Sequence, residues 1–415
     1  MGLKNLGGVK MKNILLEKGQ ELHEKLCEIS DYIYKNPELG NKEYKAVEVL
    51  TSFLKEHNFE IEKELLGIET AFRAIYDSKK EGPTIGYLCE YDALPLIGHG
   101  CGHNMIGSMS AGAGVILSKV IDKVGGRIIV YGTPAEETNG AKVILAEEGV
   151  FDELDVAMMV HPADITAKSG TSMALYPLQF TYKGKTAHAA ACPQDGINAL
   201  NAANVALNAI AYLRETFKEE DAIRVHYVIT EGGAGVNSVP DRVVIDMYIR
   251  ARTLDAIKDV DAKVDRALRG GALAIGAGVE IINTGGYLPL VQDDKLTSVV
   301  KNNILKYIDE DKILKDCHSF ASGDMGDLSY LLPTVQIGIS GFAGRIHGND
   351  FRTDDEYLAY ELPIKYFADT VIDLLEDNSK KAKEILSDYE SRLTFDQYIK
   401  LLNDTNKAKV YNWEV

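Results

Sequence analysis

The stretch TIGYLCEYDALPLIGHGCGHNMIGSMSAGAGVILSKVIDKVGGRIIVYGTPAEE, residues 84–137, decides the reading of this chain. It opens and closes on short apolar runs, Thr84 to Cys89 and Arg127 to Gly132, each stopping where polar, Gly or Pro residues begin. Such runs read as strands buried on both faces of a parallel sheet. Between them, Asn104 to Val124 is built of small and apolar residues that let a helix lie close on a sheet, which makes the whole stretch a βαβ crossover. A third apolar run, Val156 to Val160, follows a further crossover helix over Asn139 to Glu148, so the first 165 residues read as an open α/β sheet. Ligands of such sheets bind beyond the carboxyl ends of the strands.

Upstream, helical spacing of apolar residues from Gly19 and again from Lys45 to Glu56 places helices before the first strand. From about Ala174 the pattern becomes strand (Leu178 to Tyr182), helix (Ile197 to Phe217), two strands (Ile223 to Ile229 and Arg242 to Arg250), helix (Leu254 to Leu273) and strand (Gly278 to Asn283). That β-α-β-β-α-β order is the ferredoxin-like arrangement. After Leu290 the α/β pattern returns, with a helix from Leu296, a strand at Thr334 to Ser340 and an amphipathic helix from Glu356 to Leu375. A further helix from Asn378 is expected on the surface. The expected fold is therefore α/β: an open, mostly parallel catalytic domain (1–173 and 290–415) with an inserted ferredoxin-like α+β domain (174–289).

Composition bounds the function. A chain of 415 residues with 46% hydrophobic and 26% charged residues is an enzyme-sized globular protein, and two domains are expected at this length. The formal net charge of −17 argues against a nucleic-acid partner. Met1 to Lys18 has no apolar run long enough for a signal peptide or membrane span, so a cytoplasmic protein with no membrane partner is expected. Five cysteines at irregular spacing do not form a disulfide framework.

The strand ends carry metal-ligand residue types: Glu90 and Asp92 after the first, Glu136 and Glu137 after the second, His161 after the third. The loop Gly98-His99-Gly100-Cys101-Gly102-His103 adds thiolate and imidazole at the same rim. A set mixing S, N and O donors suits zinc and related first-row ions better than calcium or magnesium. A metal lowers the pKa of bound water and polarises a carbonyl, and a neighbouring carboxylate can take the water's proton, a division of labour that Glu136-Glu137 offers. Each feature also has an ordinary reading. His99 beside a Gly-rich turn is more often a hydrogen-bonding residue, and adjacent glutamates often start a helix. His23, His57, His226 and His318 lack ligand neighbours in the sequence and read as structural. The run Gly232 to Asn237 opens no helix at the spacing of a dinucleotide fingerprint.

Taken together, TIGYLCEYDALP, GHGCGHN, YGTPAEE, HPAD, GKTAHAAACPQDGINAL and RIHGNDF resemble metallopeptidase family 20, in order from about Lys18 to Leu375. The likeness is greatest to the branch with aminobenzoyl-glutamate hydrolase and related dipeptidases. The resemblance implies two divalent ions (Zn, or Mn, Co or Ni) held by Cys101, His103, Glu137, His161 and His347, with the thiolate bridging. It also implies Glu136 as general base, attack of metal-bound water on an amide, and Asp92 orienting a ligand from behind. The inserted domain is then expected to act as lid and dimerisation domain of a homodimer. His188 of GKTAHAA would polarise the scissile carbonyl in the partner's site, while Asn237 and Arg250 would hold the carbonyl and the free carboxylate of the substrate. Glu90, Asn104 and Gly348 depart from the commoner family pattern. The substrate expected is a dipeptide or an N-acyl or aminobenzoyl amino acid. An aminoacylase or indole-acetyl-type amidohydrolase is the alternative, and a non-catalytic metal or amino-acid binding protein the alternative of another class.

Overall fold

The computed structural model describes residues 4–163, 170–313 and 317–412. The chain divides into two compact units, 1–171, 290–319 and 323–394 forming the larger, and 172–289, 320–322 and 395–415 the smaller.

The larger unit is built on a six-stranded sheet in the spatial order Glu60–Lys63, Phe72–Asp77, Arg127–Gly132, Thr84–Cys89, Val156–Pro162 and Thr334–Ile339. The last four run parallel, and the first two add an antiparallel edge. Those edge strands, EIEK and FRAIYD, lie outside the apolar runs that mark the other four: the first is charged and exposed along most of its length, as edge strands that resist further pairing tend to be. The crossover after Thr84–Cys89 moves the chain to one side of that strand, and the next returns it to the other, where Val156–Pro162 pairs. The strand order therefore reverses between these two strands, and the crevice beyond their carboxyl ends is the place where open α/β sheets bind ligands.

The crossover helix His103–Val124 is almost wholly buried, packing on the sheet and against the Lys4–Lys35 and Leu362–Asp388 helices. Small residues make that approach possible: a Cβ on Gly114 would come within 2.6 Å of Val130. Its hydroxyls are satisfied by backbone, Ser110 donating to the Leu88 carbonyl and Ser108 to that of Leu26, each at 2.6 Å. This is why a helix so apolar carries serines without the cost of buried, unpaired polar groups. The last long helix is interrupted by left-handed residues at Asp377, Asn378 and Ser379, so the two expected helices, ending at Leu375 and starting near Asn378, meet at a kink.

The smaller unit is a five-stranded antiparallel sheet in the order Ala408–Tyr411, Gly278–Asn283, Ala174–Lys183, Arg242–Ala251, Arg224–Glu231. Helices Ala199–Leu213 and Leu254–Ile275 pack on each other and on the sheet around Phe180, Tyr182, Ile245, Val260 and Leu268. Both begin at side-chain caps, Asn198 accepting from Asn201 N–H and Thr253 from Ala256 N–H. The four central strands have the ferredoxin-like order. The fifth corrects the expected boundary: the chain from Phe395 onward belongs to this unit and not to the catalytic one, because Ala408–Tyr411 pairs antiparallel with Gly278–Asn283 (Val279 opposite Tyr411, Ile282 opposite Ala408). A strand of four residues is too short for its alternation to be read from the sequence.

Candidate metal centre

The backbone around the rim of the larger sheet is shaped for close approach. Gly102, with φ of 78°, caps the helix that starts at His103, and a Cβ there would lie 2.6 Å from the Pro162 ring. Only glycine lets the Cys101 turn sit against the end of the Val156–Pro162 strand. Ala135, just before the two glutamates, and His347 are non-glycine residues with φ of 62° and 64°. Each is held by hydrogen bonds: Ala135 N–H donates to the Glu43 carboxylate at 2.9 Å and His347 N–H to the Gly100 carbonyl at 2.7 Å. Strained backbone held this firmly is typical of functional sites.

These turns bring together all five ligands expected from the sequence. Ligand atoms of Cys101, His103 and His161 lie within 4.8 Å of one another, and so do those of Cys101, Glu137 and His347. The two triples share one atom, the Cys101 sulfur. A third group, His103, Glu136 and Glu137, meets the same limit. His161 Nε2 is 3.7 Å from Cys101 Sγ, and His347 Nε2 is 3.4 Å from Glu137 Oε1. The ring nitrogens have fixed partners behind them: His103 Nδ1 lies 2.8 Å from Asp92 Oδ1, and His161 Nδ1 lies 2.9 Å from the Pro162 carbonyl oxygen. With Nδ1 of each ring engaged by these partners, each Nε2 faces the cluster. Burial lowers both rings, but the nearby anions outweigh it and raise them, His103 most, so a cation entering the site would displace the Nε2 proton and take its lone pair. The second oxygen of Asp92 accepts from Glu137 N–H at 3.0 Å, so one buried carboxylate bonds to both His103 and Glu137.

The electrostatics are those of a site made for cations. Burial raises the Cys101 thiol, but His103 and His161 outweigh it and bring the group down to about 6, so the sulfur is a thiolate near neutral pH. His347 is raised to about 10 by hydrogen bonding to Cys101 and Glu137. Burial works against ionisation of Glu137 and Asp92, yet His347 and His103 respectively hold them below the usual carboxylate range. Glu136 behaves oppositely: burial first, then Glu90 and Asp324, push its carboxyl well above that range. Two atoms at the centre, His103 Nε2 and Glu90 Oε2, are buried without a hydrogen-bond partner and lie 3.6 Å apart. Buried polar atoms without partners, beside the Cys101 and His161 donors, fit a bound metal, and the S, N and O donors fit zinc-class ions.

Two features escaped the sequence reading. Lys142 is fully buried, its ammonium 2.5 Å from Glu90 Oε1 and 2.6 Å from Asp324 Oδ1. It accounts for the departure at position 90, since a glutamate there reaches a private counterion. Its signal was a lone lysine within the apolar run of Ala141 to Ala146. Glu43 is also fully buried, bonded to Thr70 and to the Ala135 backbone, and it fixes the turn before Glu136. His99 is buried, and its ring is lowered to about 4 by burial and then by His103; it belongs to none of the ligand groups among the described residues.

His188, Asn237 and Arg250 lie in the smaller unit. His188 and Asn237 are exposed neighbours, joined by the Ala189 N–H to Asn237 carbonyl bond at 2.9 Å. His188 Nδ1 accepts from the backbone N–H of Ala190 and Ala191, both at 3.2 Å, which puts the proton of the neutral ring on Nε2 as a hydrogen-bond donor. Arg250 is half-buried, donating to Ser322 Oγ at 2.9 Å.

Comparison with known proteins agrees with this geometry. Over 347 residues the chain is 33% identical to the Xaa-Arg dipeptidase of Mus musculus, covering 78% of each chain. It is 31% identical over 278 residues to one of the two chains of p-aminobenzoyl-glutamate hydrolase from Escherichia coli (strain K12), covering 62% of this chain and 57% of that one. Among solved structures, a dinuclear metal binding peptidase of the M20 family from Bacillus subtilis superposes with a TM-score of 0.68 at 19% identity, over 86% of this chain and 99% of that one. The aminobenzoyl-glutamate utilization protein of Klebsiella pneumoniae does so with a TM-score of 0.66 at 18% identity, over 87% and 97%. The sequence model of peptidase family M20/M25/M40 matches residues 91–371, from the Asp92 turn through the His347 loop. With its ligand-bearing strand ends inside that match, the chain is an enzyme and belongs to peptidase family M20/M25/M40.

Proposed function

We propose that this hydrolase is a dimetal amidohydrolase that cleaves the amide bond of a dipeptide, with N-acyl and aminobenzoyl amino acids as related substrates. The observation that carries the reading is the pair of ligand triples sharing the Cys101 sulfur, with Glu136 beside them. On this reading Cys101, His103 and His161 hold one divalent ion and Cys101, Glu137 and His347 the other. Zinc is the first choice from the donor set, with Mn, Co or Ni as alternatives. When bound, such ions supply Lewis acidity toward a carbonyl and a lowered pKa for water.

The protein's own part is proton handling and orientation. Glu136, whose carboxylate gains proton affinity from burial and from Glu90 and Asp324, would accept the proton of the attacking water and hand it to the leaving amine. Asp92 keeps His103 and Glu137 aimed, so turnover requires no reorganisation of the ligands. In a homodimer, His188 of one protomer would donate through Nε2 to the scissile carbonyl oxygen in the partner's site. Asn237 and Arg250 hold the carbonyl and the free carboxylate, the latter suited to a guanidinium fork. A dipeptide is favoured by the 33% identity to the murine Xaa-Arg dipeptidase over 78% of each chain. The working form is a homodimer, supported by the exposed apolar row Tyr227, Val228 and Ile229 on an edge strand. The five free thiols support a reducing, cytoplasmic setting.

The test is a metal-stripped preparation reloaded with Zn, Mn, Co or Ni and assayed for amine release from dipeptides, including those ending in arginine, N-acyl amino acids and aminobenzoyl-glutamate. Metal-dependent release from a dipeptide is expected. Silence across the panel with metal bound would overturn the reading, and a monomer in sedimentation at working concentration would overturn the dimer.

A further inference from the structure

The helix Lys4–Lys35 carries His23 and Cys27 four residues apart, hence one above the other on a single face. The sequence assigned His23 a structural role. In the fold, its Nε2 lies 3.8 Å from Cys27 Sγ and 3.4 Å from Oε2 of Glu356, a residue that reaches it from the distant segment leading into the Tyr357–Glu361 turn. One ligand atom from each of the three falls within 4.8 Å of the others. None of the three belongs to the Cys101 cluster.

We propose that His23, Cys27 and Glu356 form a separate divalent-cation site of the zinc class, which clamps the N-terminal helix to the segment following the His347 loop. The distances are those of the edges of a coordination tetrahedron. With Zn–N of about 2.0 Å and Zn–S of about 2.3 Å, the N-to-O and N-to-S edges come to roughly 3.3 and 3.6 Å. The two measured here, 3.4 and 3.8 Å, need only small rotamer adjustments to meet them. Donor types agree as well, since one thiolate, one imidazole and one carboxylate make a borderline-soft set that discriminates against calcium and magnesium. Glu356 is well exposed, which leaves room for a water as fourth ligand.

The surroundings favour a cation. Glu356 lies against His23, and Asp31 and Glu361 act on Cys27 electrostatically, so the groups around the thiol are predominantly acidic. Asp31 and Glu361 have lysine partners, Lys35 at 2.8 Å and Lys365 at 3.9 Å, whereas Glu356 pairs with His23. The ring of His23 meets the edge of Tyr360 at 6.4 Å, and its Nδ1 is buried without a partner, so the polar contacts of the ring are made from the Nε2 side. Binding replaces the Cys27 thiol proton, which leaves to solvent, with the ion.

The experiment uses the full chain, stripped of metal and equilibrated with Zn²⁺ alone. Bound metal per chain is counted for the wild type, for the double variant H23A/C27S, and for E356Q, whose exposed side chain can be changed without threatening the fold. The wild type is expected to bind one equivalent more than the double variant, and E356Q to hold that equivalent at least about tenfold more weakly. With Co²⁺ in place of Zn²⁺, the difference spectrum between wild type and double variant should show a thiolate-to-cobalt charge-transfer band. Equal stoichiometry in wild type and a folded double variant overturns the site. If the double variant does not fold, unchanged Zn²⁺ affinity of every equivalent in E356Q overturns it instead. Because the readout is a difference in bound metal, it is independent of whether the Cys101 cluster turns over a dipeptide.

Discussion

Replacing Lys142 by methionine keeps the aliphatic stem and deletes the ammonium, leaving Glu90 and Asp324 facing each other with 1% and 0% of their surface exposed. Breaking a buried ion pair by removing one partner costs about 3–5 kcal/mol. The structure also supplies a ceiling, because the stranded pair can take up a proton. At pH 7, neutralising a carboxyl whose unfolded value is near 4 costs about 1.4 kcal/mol for each intervening pH unit, hence about 4 kcal/mol. The folded variant then binds a proton that its unfolded chain does not, so its stability rises as the pH falls. In wild type Lys142 works against the burial that raises Asp324, and Asp324 and Glu90 in turn raise Lys142 despite its own burial, so its contribution is lost only in the alkaline range above 10.5. The expected deficit of Lys142→Met is therefore about 4 kcal/mol at pH 7 and about 1.4 kcal/mol at pH 5. In thermal melts, at about 2.1 cal/mol/K per residue over 415 residues and hence about 1 °C per kcal/mol, that is a fall of about 5 °C at neutral pH. The added change Asp324→Asn should return part of the loss. A deficit under about 1 kcal/mol at pH 7, or one independent of pH, would refute the reasoning by showing that the triad does not hold two charged carboxylates on one ammonium.

Glu136→Gln should abolish amide hydrolysis while elemental analysis finds metal content unchanged; substantial residual turnover would remove Glu136 from proton transfer. Asp92→Asn, which disturbs the bond to His103 Nδ1, should weaken metal retention about 10–100-fold in a chelator competition, and equal retention would deny Asp92 its orienting role. Glu43 is raised to about 7 by burial, so its folded carboxyl holds a proton above the unfolded value of 4.5, and this stabilisation is lost as pH rises toward 7. Glu43→Gln should flatten the decline in stability between pH 5 and 7, whose single-site limit is about 1.4 kcal/mol per unit; parallel curves for the two proteins would argue against a titrating Glu43. Arg250→Ala should raise KM for substrates with a free carboxylate more than for their amides, and equal effects on both would free Arg250 from that task.

The candidate ligand cluster was legible because its residues sit at strand ends: Cys101, His103, Glu137 and His161 follow apolar runs whose parallel pairing the sequence announces, and the resemblance then assigned their roles. His347 was less visible, standing in a glycine-rich loop with only its resemblance to mark it, and a left-handed backbone carries it to the site. What stayed hidden are contacts between distant segments. Lys142 meets Asp324 across 182 residues and His23 meets Glu356 from the far end of the chain, and neither residue type forecasts its partner. The EIEK and AKVY strands were hidden for another reason, since a strand at a sheet edge need not be apolar and four residues hold too few alternations to count.

The pairing of Ala408–Tyr411 with Gly278–Asn283 has a consequence for assembly. A sheet with both flanks open can grow without limit, each added chain offering a fresh flank to the next. The smaller sheet has two outermost strands, Arg224–Glu231 with 8 residues and the tail strand Ala408–Tyr411 with 4, so the tail covers the 6-residue strand Gly278–Asn283 with a shorter flank. Two copies meeting through their Arg224–Glu231 strands by a twofold axis would leave only the 4-residue flanks open. The C-terminal strand thus shortens one open flank of this sheet, the device by which edges are kept from recruiting further strands.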